Sequence, residues 1–296
     1  MQLVDLKFRP GIDKQDTAYS AGDERKYVDS DFVRFHYGKP ERWGGWQNLP
    51  NPNRVMVGVV RDTHSWVSLD GTRYIALGTD RKLYIYSEGA ISDITPIRST
   101  ESLTNPFTTT SGSATITVTD AAHGAAIGDF VTFDSFSTLD GLDMNQEFEI
   151  TTVPSASTYT ITHSSNATGS TSGGGGSGNA KYQITTGPAT STYGYGWGTL
   201  AWGDSTWDTS RSSSSVVVAA RNWSLDNFGE DLIATVLNGG TFIWDTSGGT
   251  SARATALSNA PTASRFSLVS TDTRHLLIFG TETTIGNTAT QDDLLF

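Results

Sequence analysis

The stretch Trp66-Val67-Ser68-Leu69-Asp70-Gly71-Thr72-Arg73-Tyr74-Ile75-Ala76-Leu77-Gly78-Thr79-Asp80-Arg81-Lys82-Leu83-Tyr84-Ile85-Tyr86 decides the fold. Asp-Gly between two apolar runs is a strong hairpin signal, because a tight turn of left-handed backbone matches the twist of antiparallel strands. Trp66 to Leu69 therefore enters the turn Asp70-Gly71, Tyr74 to Leu77 returns, and a turn at Thr79-Asp80 leads into Lys82 to Tyr86. Outward from there, Met56 to Val60 reads as a preceding strand, and Ser87-Glu88-Gly89 turns the chain into Ile91 to Ile97. Four short antiparallel strands in about 45 residues is the spacing of one propeller blade.

The pattern recurs. Trp66-Val67-Ser68-Leu69-Asp70 matches Trp223-Ser224-Leu225-Asp226 with a one-residue slip. Downstream, Leu232 to Val236, the turn Asn238-Gly239-Gly240 and Thr241 to Trp244 repeat the strand, turn and aromatic return strand. A third copy starts at Phe266-Ser267-Leu268, continues through His275 to Gly280, and spans about half a blade. Units of this kind cannot bury both faces alone and stack on copies of themselves. Two and a half units fall short of the roughly 4–8 blades of a closed propeller. The expectation is a propeller-like body, incomplete in this chain, whose sheet edges are covered by further polypeptide or by other subunits.

Between the first two copies lies a stretch of different composition, residues 104–187, with no Trp, one basic residue (Lys181) and 7 acidic ones. Ala114 to Val118, Gly128 to Phe133, Glu147 to Thr151 and Thr158 to Thr162 alternate as strands, which predicts an inserted small β-barrel or β-sandwich domain. The glycine-rich run Gly169 to Gly178 reads as a flexible loop. Residues 1–54 form an N-terminal arm in which Ser30 to Gly38 alternates with period two into a Gly-Lys-Pro turn. The division is thus 1–54, 55–103, 104–187 and 188–296, the last carrying further blades.

Composition agrees with an all-β chain. Of 296 residues, 36% are hydrophobic and 17% charged, with 31 Gly, 8 Trp, 10 Tyr and 13 Phe. Small polar residues suit turns and strands rather than bundled helices, and the aromatic residues suffice for a core. There is no Cys, so neither disulfides nor thiolate metal sites contribute. The N-terminus has no apolar signal-peptide core, and no apolar run approaches the roughly 18 residues of a membrane helix, so a soluble protein folded in a reducing cytoplasm, without membrane insertion, is expected. Net charge is −11: residues 1–54 carry 9 Lys/Arg and 8 Asp/Glu, and the remainder carries 11 and 23. An acidic body does not grip nucleic acid, because phosphate affinity comes from Lys and Arg displacing counterions.

No catalytic constellation emerges. His36, His64, His123, His163 and His275 lack the spacing of a helical metal pair, and neither a phosphate loop nor a nucleophile elbow is present. His123, before Gly124, reads as a turn residue. Glu230-Asp231, Glu147/Glu149 and Asp292-Asp293 are acid pairs that any chain with 31 acids contains. The reading is a non-enzyme with no cofactor and no metal. Two surfaces are candidates for interaction. One is the aromatic set Trp197, Trp202 and Trp207, interleaved with Gly and with Tyr193 and Tyr195, which either packs between blades or stacks on sugar rings. The other is a docking arm of Arg34, Lys39, Arg42, Trp43 and Trp46.

The runs Pro10-Gly11-Ile12-Asp13, Asp31-Phe32-Val33-Arg34-Phe35, Lys39-Pro40-Glu41-Arg42-Trp43-Gly44-Gly45-Trp46, Leu83-Tyr84-Ile85-Tyr86 with Asp93-Ile94-Thr95-Pro96, Tyr195-Gly196-Trp197-Gly198, and Trp223-Ser224-Leu225-Asp226-Asn227-Phe228-Gly229-Glu230-Asp231-Leu232-Ile233-Ala234 together carry a family resemblance. The chain resembles the β-propeller tail nozzle, or packaged-DNA stabilisation, proteins of short-tailed bacteriophages. The resemblance implies a structural protein of the virion tail, assembled as a homo-oligomeric ring, commonly a hexamer, below the portal and adaptor. Genomic DNA passes through such a ring without specific binding, and adaptor proteins and tail fibres are its neighbours. The competing reading is a receptor- or glycan-binding tail module built on Trp197, Trp202 and Trp207. A polysaccharide depolymerase is the third.

Overall fold

Antiparallel pairing governs nearly every element, as period-two alternation and Gly-rich turns require. The computed structural model describes residues 9–15, 17–44, 56–187 and 220–292. The chain divides into two units, Met1–Asn53 and Arg54–Phe296.

The first unit holds one helix, α1 (Ala18–Glu24), and a hairpin of β1 (Val33–His36) and β2 (Lys39–Arg42). Thr17 caps α1 by accepting from the Ser20 N–H at 3.3 Å, and Arg25 ends it in the left-handed conformation. The hairpin turn is Tyr37-Gly38, both residues at positive φ (48° and 74°), so the expected Gly-Lys-Pro turn is corrected. A two-residue turn of that hand fits the strand twist, and it leaves Lys39 and Pro40 inside β2 opposite His36 and Phe35.

The second unit opens with a four-stranded meander, β3 (Val60–Val67), β4 (Arg73–Thr79), β5 (Leu83–Ser87) and β6 (Ala90–Asp93). The strand expected from Met56 begins instead at Val60. The N–H groups of Val57 and Val59 bond to Tyr84 Oη (2.9 Å) and Asp80 Oδ1 (2.7 Å), which takes them out of the ladder. The strand expected through Ile97 ends at Asp93, because Ile94 and Thr95 turn back onto Leu83.

The next eight strands are β7 (Ile97–Thr104), β8 (Phe107–Thr108), β9 (Thr115–Thr119), β10 (Phe130–Asp134), β11 (Glu147–Ser155), β12 (Thr158–Thr162), β13 (Ser172–Gly174) and β14 (Ser177–Gln183). Their sheet order is β13-β8-β9-β12-β11-β10-β14-β7. Thr104 faces Ser177 and Phe107 faces Gly174, so β7 with β8, and β13 with β14, are two bent strands paired along their whole length. Since β8 also pairs with β9 and β14 with β10, six strands close into a small barrel. Alternate residues fill it: Ile116, Val118, Val131, Phe133, Ile150, Tyr159, Ile161 and Tyr182 are all buried.

The glycine run at 169–178 is not a loose loop but the wall of this barrel. A Cβ on Gly175 would lie 2.5 Å from the Phe107 ring, and one on Gly178 2.5 Å from the Asp134 carbonyl oxygen. Gly173, Gly175 and Gly176 also hold positive φ, the conformation at which the paired strands bend.

A second meander follows, β15 (Trp223–Phe228), β16 (Asp231–Val236), β17 (Thr241–Trp244) and β18 (Thr255–Ala256), and then a hairpin, β19 (Phe266–Val269) and β20 (Leu276–Phe279). The two meanders pack face to face. Trp66, Ala76, Leu83 and Ile85 of the first meet Trp223, Leu232, Ala234, Val236, Phe242 and Trp244 of the second in one core. Trp66 and Trp223, aligned in the sequence comparison, are not equivalent. Trp66 stands near the end of β3 and donates to the Glu230 carbonyl (2.8 Å), whereas Trp223 opens β15 and donates to the Thr79 carbonyl (2.7 Å). The fold is all-β, with several antiparallel sheets.

Candidate functional site

The first strands of the three stacked sheets meet along a polar seam. In β3, Asp62, His64 and Trp66 point the same way because the side-chain period is two. Asp62 Oδ2 accepts from the Leu225 N–H (3.1 Å), and His64 Nε2 lies 2.9 Å from Asn227 Oδ1 and 3.8 Å from Asp226 Oδ1. Glu230 Oε1 accepts from the Leu69 N–H (2.5 Å). The same device joins β15 to β19. Ser224 Oγ donates to the Ser267 carbonyl (2.7 Å), and Asp226 Oδ2 accepts from the Val269 N–H (2.7 Å).

The partners 224/267 and 226/269 share a 43-residue offset, matching the roughly 40–45 residues of a blade. The partners 62/225 and 64/227 share an offset of 163, which contains the barrel. Burial raises the Asp62 carboxyl pKa above its ordinary value, against the opposing pull of the Thr63 and Leu225 N–H groups and of His64. Three carboxylates thus line this seam, each occupied as an acceptor.

A second cluster fixes the barrel to both meanders. Lys82 is 2% exposed, and its Nζ contacts Asp93 Oδ2 (2.9 Å) and Glu147 of the barrel while lying 4.4 Å above the Phe130 ring. Arg253, from the second meander, reaches Asp93 Oδ1 (3.1 Å) and the Thr95 carbonyl (3.0 Å). Gln183 donates to Glu147 Oε2 (2.5 Å). Arg81 pairs with Glu149 and shares the Phe130 ring. Burial works against ionised Asp93, but Lys82, Arg253 and the Thr95 bonds outweigh it and hold its pKa below the ordinary value. This cluster is a clamp, since every charge in it is matched.

Inside the barrel, Tyr159 Oη lies 2.8 Å from Tyr182 Oη, which donates to Asp120 Oδ2 (2.5 Å). Burial pushes both phenols well above the ordinary tyrosine range. His123 is 4% exposed and braces its turn, accepting from the Ala125 N–H at Nδ1 (3.0 Å) and reaching the Ser155 carbonyl through Nε2 (3.2 Å).

The expected docking residues divide between two faces of the β1–β2 hairpin. Arg34 and Lys39 share one face with His36 and Glu41, where Glu41 takes both Arg34 Nη2 and His36 Nδ1 at 3.2 Å. Arg42 lies on the opposite face with Val33, Phe35 and Pro40. Trp43 follows β2 at 62% exposure beside the more exposed Phe32, and Tyr37, more exposed still, stands at the turn end of the hairpin; sequence reasoning missed Phe32 and Tyr37. Both take left-handed backbone (φ 54° and 48°), which is rare for bulky residues and is not announced by the sequence. Trp46 lies outside the described residues, as do Trp197, Trp202, Trp207, Tyr193 and Tyr195.

Among the described residues no group of three or more His, Cys, Asp or Glu side chains is placed to hold a metal ion, and no helix is long and apolar enough to cross a membrane. A wide-open polar depression is lined by Arg265, Thr283, Thr290, Gln291 and Asp292.

No protein-family model matches the chain, and no curated protein does. Among solved structures it is similar to the phage phi92 endosialidase, at 16% identity and a TM-score of 0.26, over 83% of this chain. The chain spans 37% of the length of that protein.

Proposed function

We propose that this chain is a structural component of a bacteriophage tail, forming a ring around the channel through which the genome leaves. The observation that carries the reading is the seam of β3, β15 and β19, where Asp62 and Asp226 stand on the first strands of successive sheets and Glu230 follows in the turn after β15. In a ring of stacked sheets the first strands face the axis. An acidic axis lets a polyanion pass without adhering, because adhesion requires Lys or Arg to displace its counterions. The body's excess of acids acts in the same direction. The N-terminal unit docks on an adaptor or portal-proximal neighbour through its hairpin, with the exposed Phe32, Tyr37 and Trp43, and with Arg34 and Lys39 on one face and Arg42 on the other. The protein works without catalysis or cofactor, and it resides in the virion after assembly in the host cytoplasm.

The test is cryo-electron microscopy of virions carrying a tagged copy of the chain. Axial density between the portal and the tail tip, with the seam facing inward, supports the reading. Tag density at the tail periphery, together with saturable binding of host polysaccharide by the purified chain, replaces it with a glycan-binding module.

A further inference from the structure

Lys82 stands immediately before β5, and Asp93 closes β6 across from Tyr84, so the two residues meet at the open end of one hairpin. The Lys82 side chain is 3% exposed, and its amine lies over the Phe130 ring with the carboxylates of Asp93 and Glu147 as partners. The two carboxylates are held differently. Asp93 turns Oδ2 to the amine at 2.9 Å, while its Oδ1 accepts from Arg253 Nη1 (3.1 Å) and from the Thr95 N–H (2.9 Å). Two N–H donors at these distances are the arrangement that stabilises the oxyanion of acyl transfer. Glu147 meets the amine through Oε1 and is fixed at Oε2 by Gln183 Nε2 (2.5 Å). An amine out of water, an acyl carbon with a donor pair on its oxygen, and a second carboxylate touching the amine are a nucleophile, an electrophile and a proton carrier in one place.

We propose that Lys82 and Asp93 join as an intramolecular amide, with Glu147 moving the protons. The clamp described above is the reactant, and its ion pairs are those of the freshly folded chain. Moving one proton along the 2.9 Å contact, from Nζ to Oδ2, gives a neutral amine and a neutral acid with no proton from solvent. Burial of the amine favours that uncharged pair. Lys82 and Arg253 favour the ionised carboxylate, so the reacting form is a minor one and closure is slow. Nζ then attacks Cγ. The C–N bond forms, and the negative charge falls on Oδ1 between Arg253 and the Thr95 N–H. Glu147 takes a proton from the nitrogen and returns it to the Oδ2 hydroxyl. The Cγ–Oδ2 bond breaks, its electron pair leaves with the oxygen as water, and the amide and an ionised Glu147 remain. Nothing is oxidised or reduced. The bond staples the hairpin just ahead of β7, the strand that enters the barrel, so that pulling on the barrel cannot unzip β6 from β5. The proposal is independent of the place of the chain in a virion.

Intact mass spectrometry of the purified chain, freshly folded and after a week at room temperature, tests it. The folded chain is expected to become lighter by one water. The same chain held in urea keeps its full mass, because the three residues meet only in the fold. Trypsin should then fail to cut after Lys82, and residues 82–98 should be recovered as one peptide that lacks a water and yields no fragments from inside the ring. Lys82→Arg keeps its full mass. Glu147→Gln, with wild-type circular dichroism, should close about 10²-fold more slowly, the ordinary share of a general acid–base. A folded wild-type chain that keeps its full mass overturns the proposal. So does a water lost elsewhere, as in a succinimide at Asp70-Gly71 or Asp140-Gly141, with Lys82 still cut by trypsin. An amide from Lys82 to Glu147, which joins residues 82–98 to residues 99–181, overturns the assignment to Asp93. A Glu147→Gln chain that closes at the wild-type rate overturns the role given to Glu147.

Discussion

The indole of Trp223 lies against the Cα of Gly78, so closely that a Cβ at Gly78 would come within 2.6 Å of Trp223 Cδ1. The missing side chain on β4 is the seat of a ring from the next sheet, and the indole N–H reaches one residue further to the Thr79 carbonyl. Gly78 is therefore a packing glycine, in extended backbone that any residue could adopt.

Gly78→Ala is expected to destabilise the protein by about 1–3 kcal/mol, the ordinary cost of overpacking, and Trp223→Ala by about 3–5 kcal/mol. Because the two groups touch, the double variant loses less than the sum. Urea denaturation of the four proteins completes the cycle, and strict additivity would refute the contact.

The barrel makes a similar claim about Gly175, whose place against Phe107 and positive φ (101°) both exclude a side chain. Gly175→Ala is expected to cost about 1–3 kcal/mol. Native-state proteolysis should leave residues 172–178 uncut, since Ser172–Gly174 and Ser177–Gly178 lie in paired strands and Gly175 packs under Phe107. Rapid cleavage there would restore the flexible-loop reading.

Lys82, itself buried, is matched by Asp93 and Glu147, whose carboxylates remain partly exposed. Lys82→Ala leaves the Asp93 and Glu147 carboxylates with only Arg253 as a shared cation, and the expected loss is about 1–3 kcal/mol. Lys82→Met keeps the packing against Phe130 yet removes the charge, so it also destabilises. Thermal unfolding with barrel and meander fluorescence probes should show the junction failing first.

The depressed pKa of Asp93 gives the pH dependence a sign. The folded state holds the carboxylate ionised below the ordinary aspartate value of 3.8, so the unfolded chain takes up the proton first as acid is added. The stabilisation is fully present above 3.8 and is lost as pH falls through the lower folded value. Asp93→Asn should flatten the curve of unfolding free energy against pH in that acid range. An unchanged curve would mean that Lys82 and Arg253 do not hold this group.

Much of the fold was legible because hairpins are local. Asp70-Gly71 and Asn238-Gly239 set turns between neighbouring apolar runs, and the strands around them fell within a few residues of their expected places. Boundaries moved where a side chain competed for the backbone, as Asp80 and Tyr84 do for Val59 and Val57. The helix Ala18–Glu24 was missed, since seven residues containing Gly22 carry no helical periodicity, and only Thr17 as a capping residue announces it. Of the candidate site, the acidic balance was readable from composition. The pairing of Asp62 with Leu225 was not, because 163 residues separate them.

Alternation and turn chemistry by themselves determined that this chain is built of antiparallel β units, two and a half of them interrupted by a separate β segment. Which face of each unit meets which, and that the segment closes as a six-stranded barrel, was decided only by tertiary contact. Pairings such as Thr104 with Ser177 join residues far apart in the chain. The glycines of 169–178 that read as slack in a string of letters became, under Phe107 and Phe136, the places where large rings needed room, as Gly78 is under Trp223. Local sequence carries backbone preference; close approach between distant segments is a property of the folded volume.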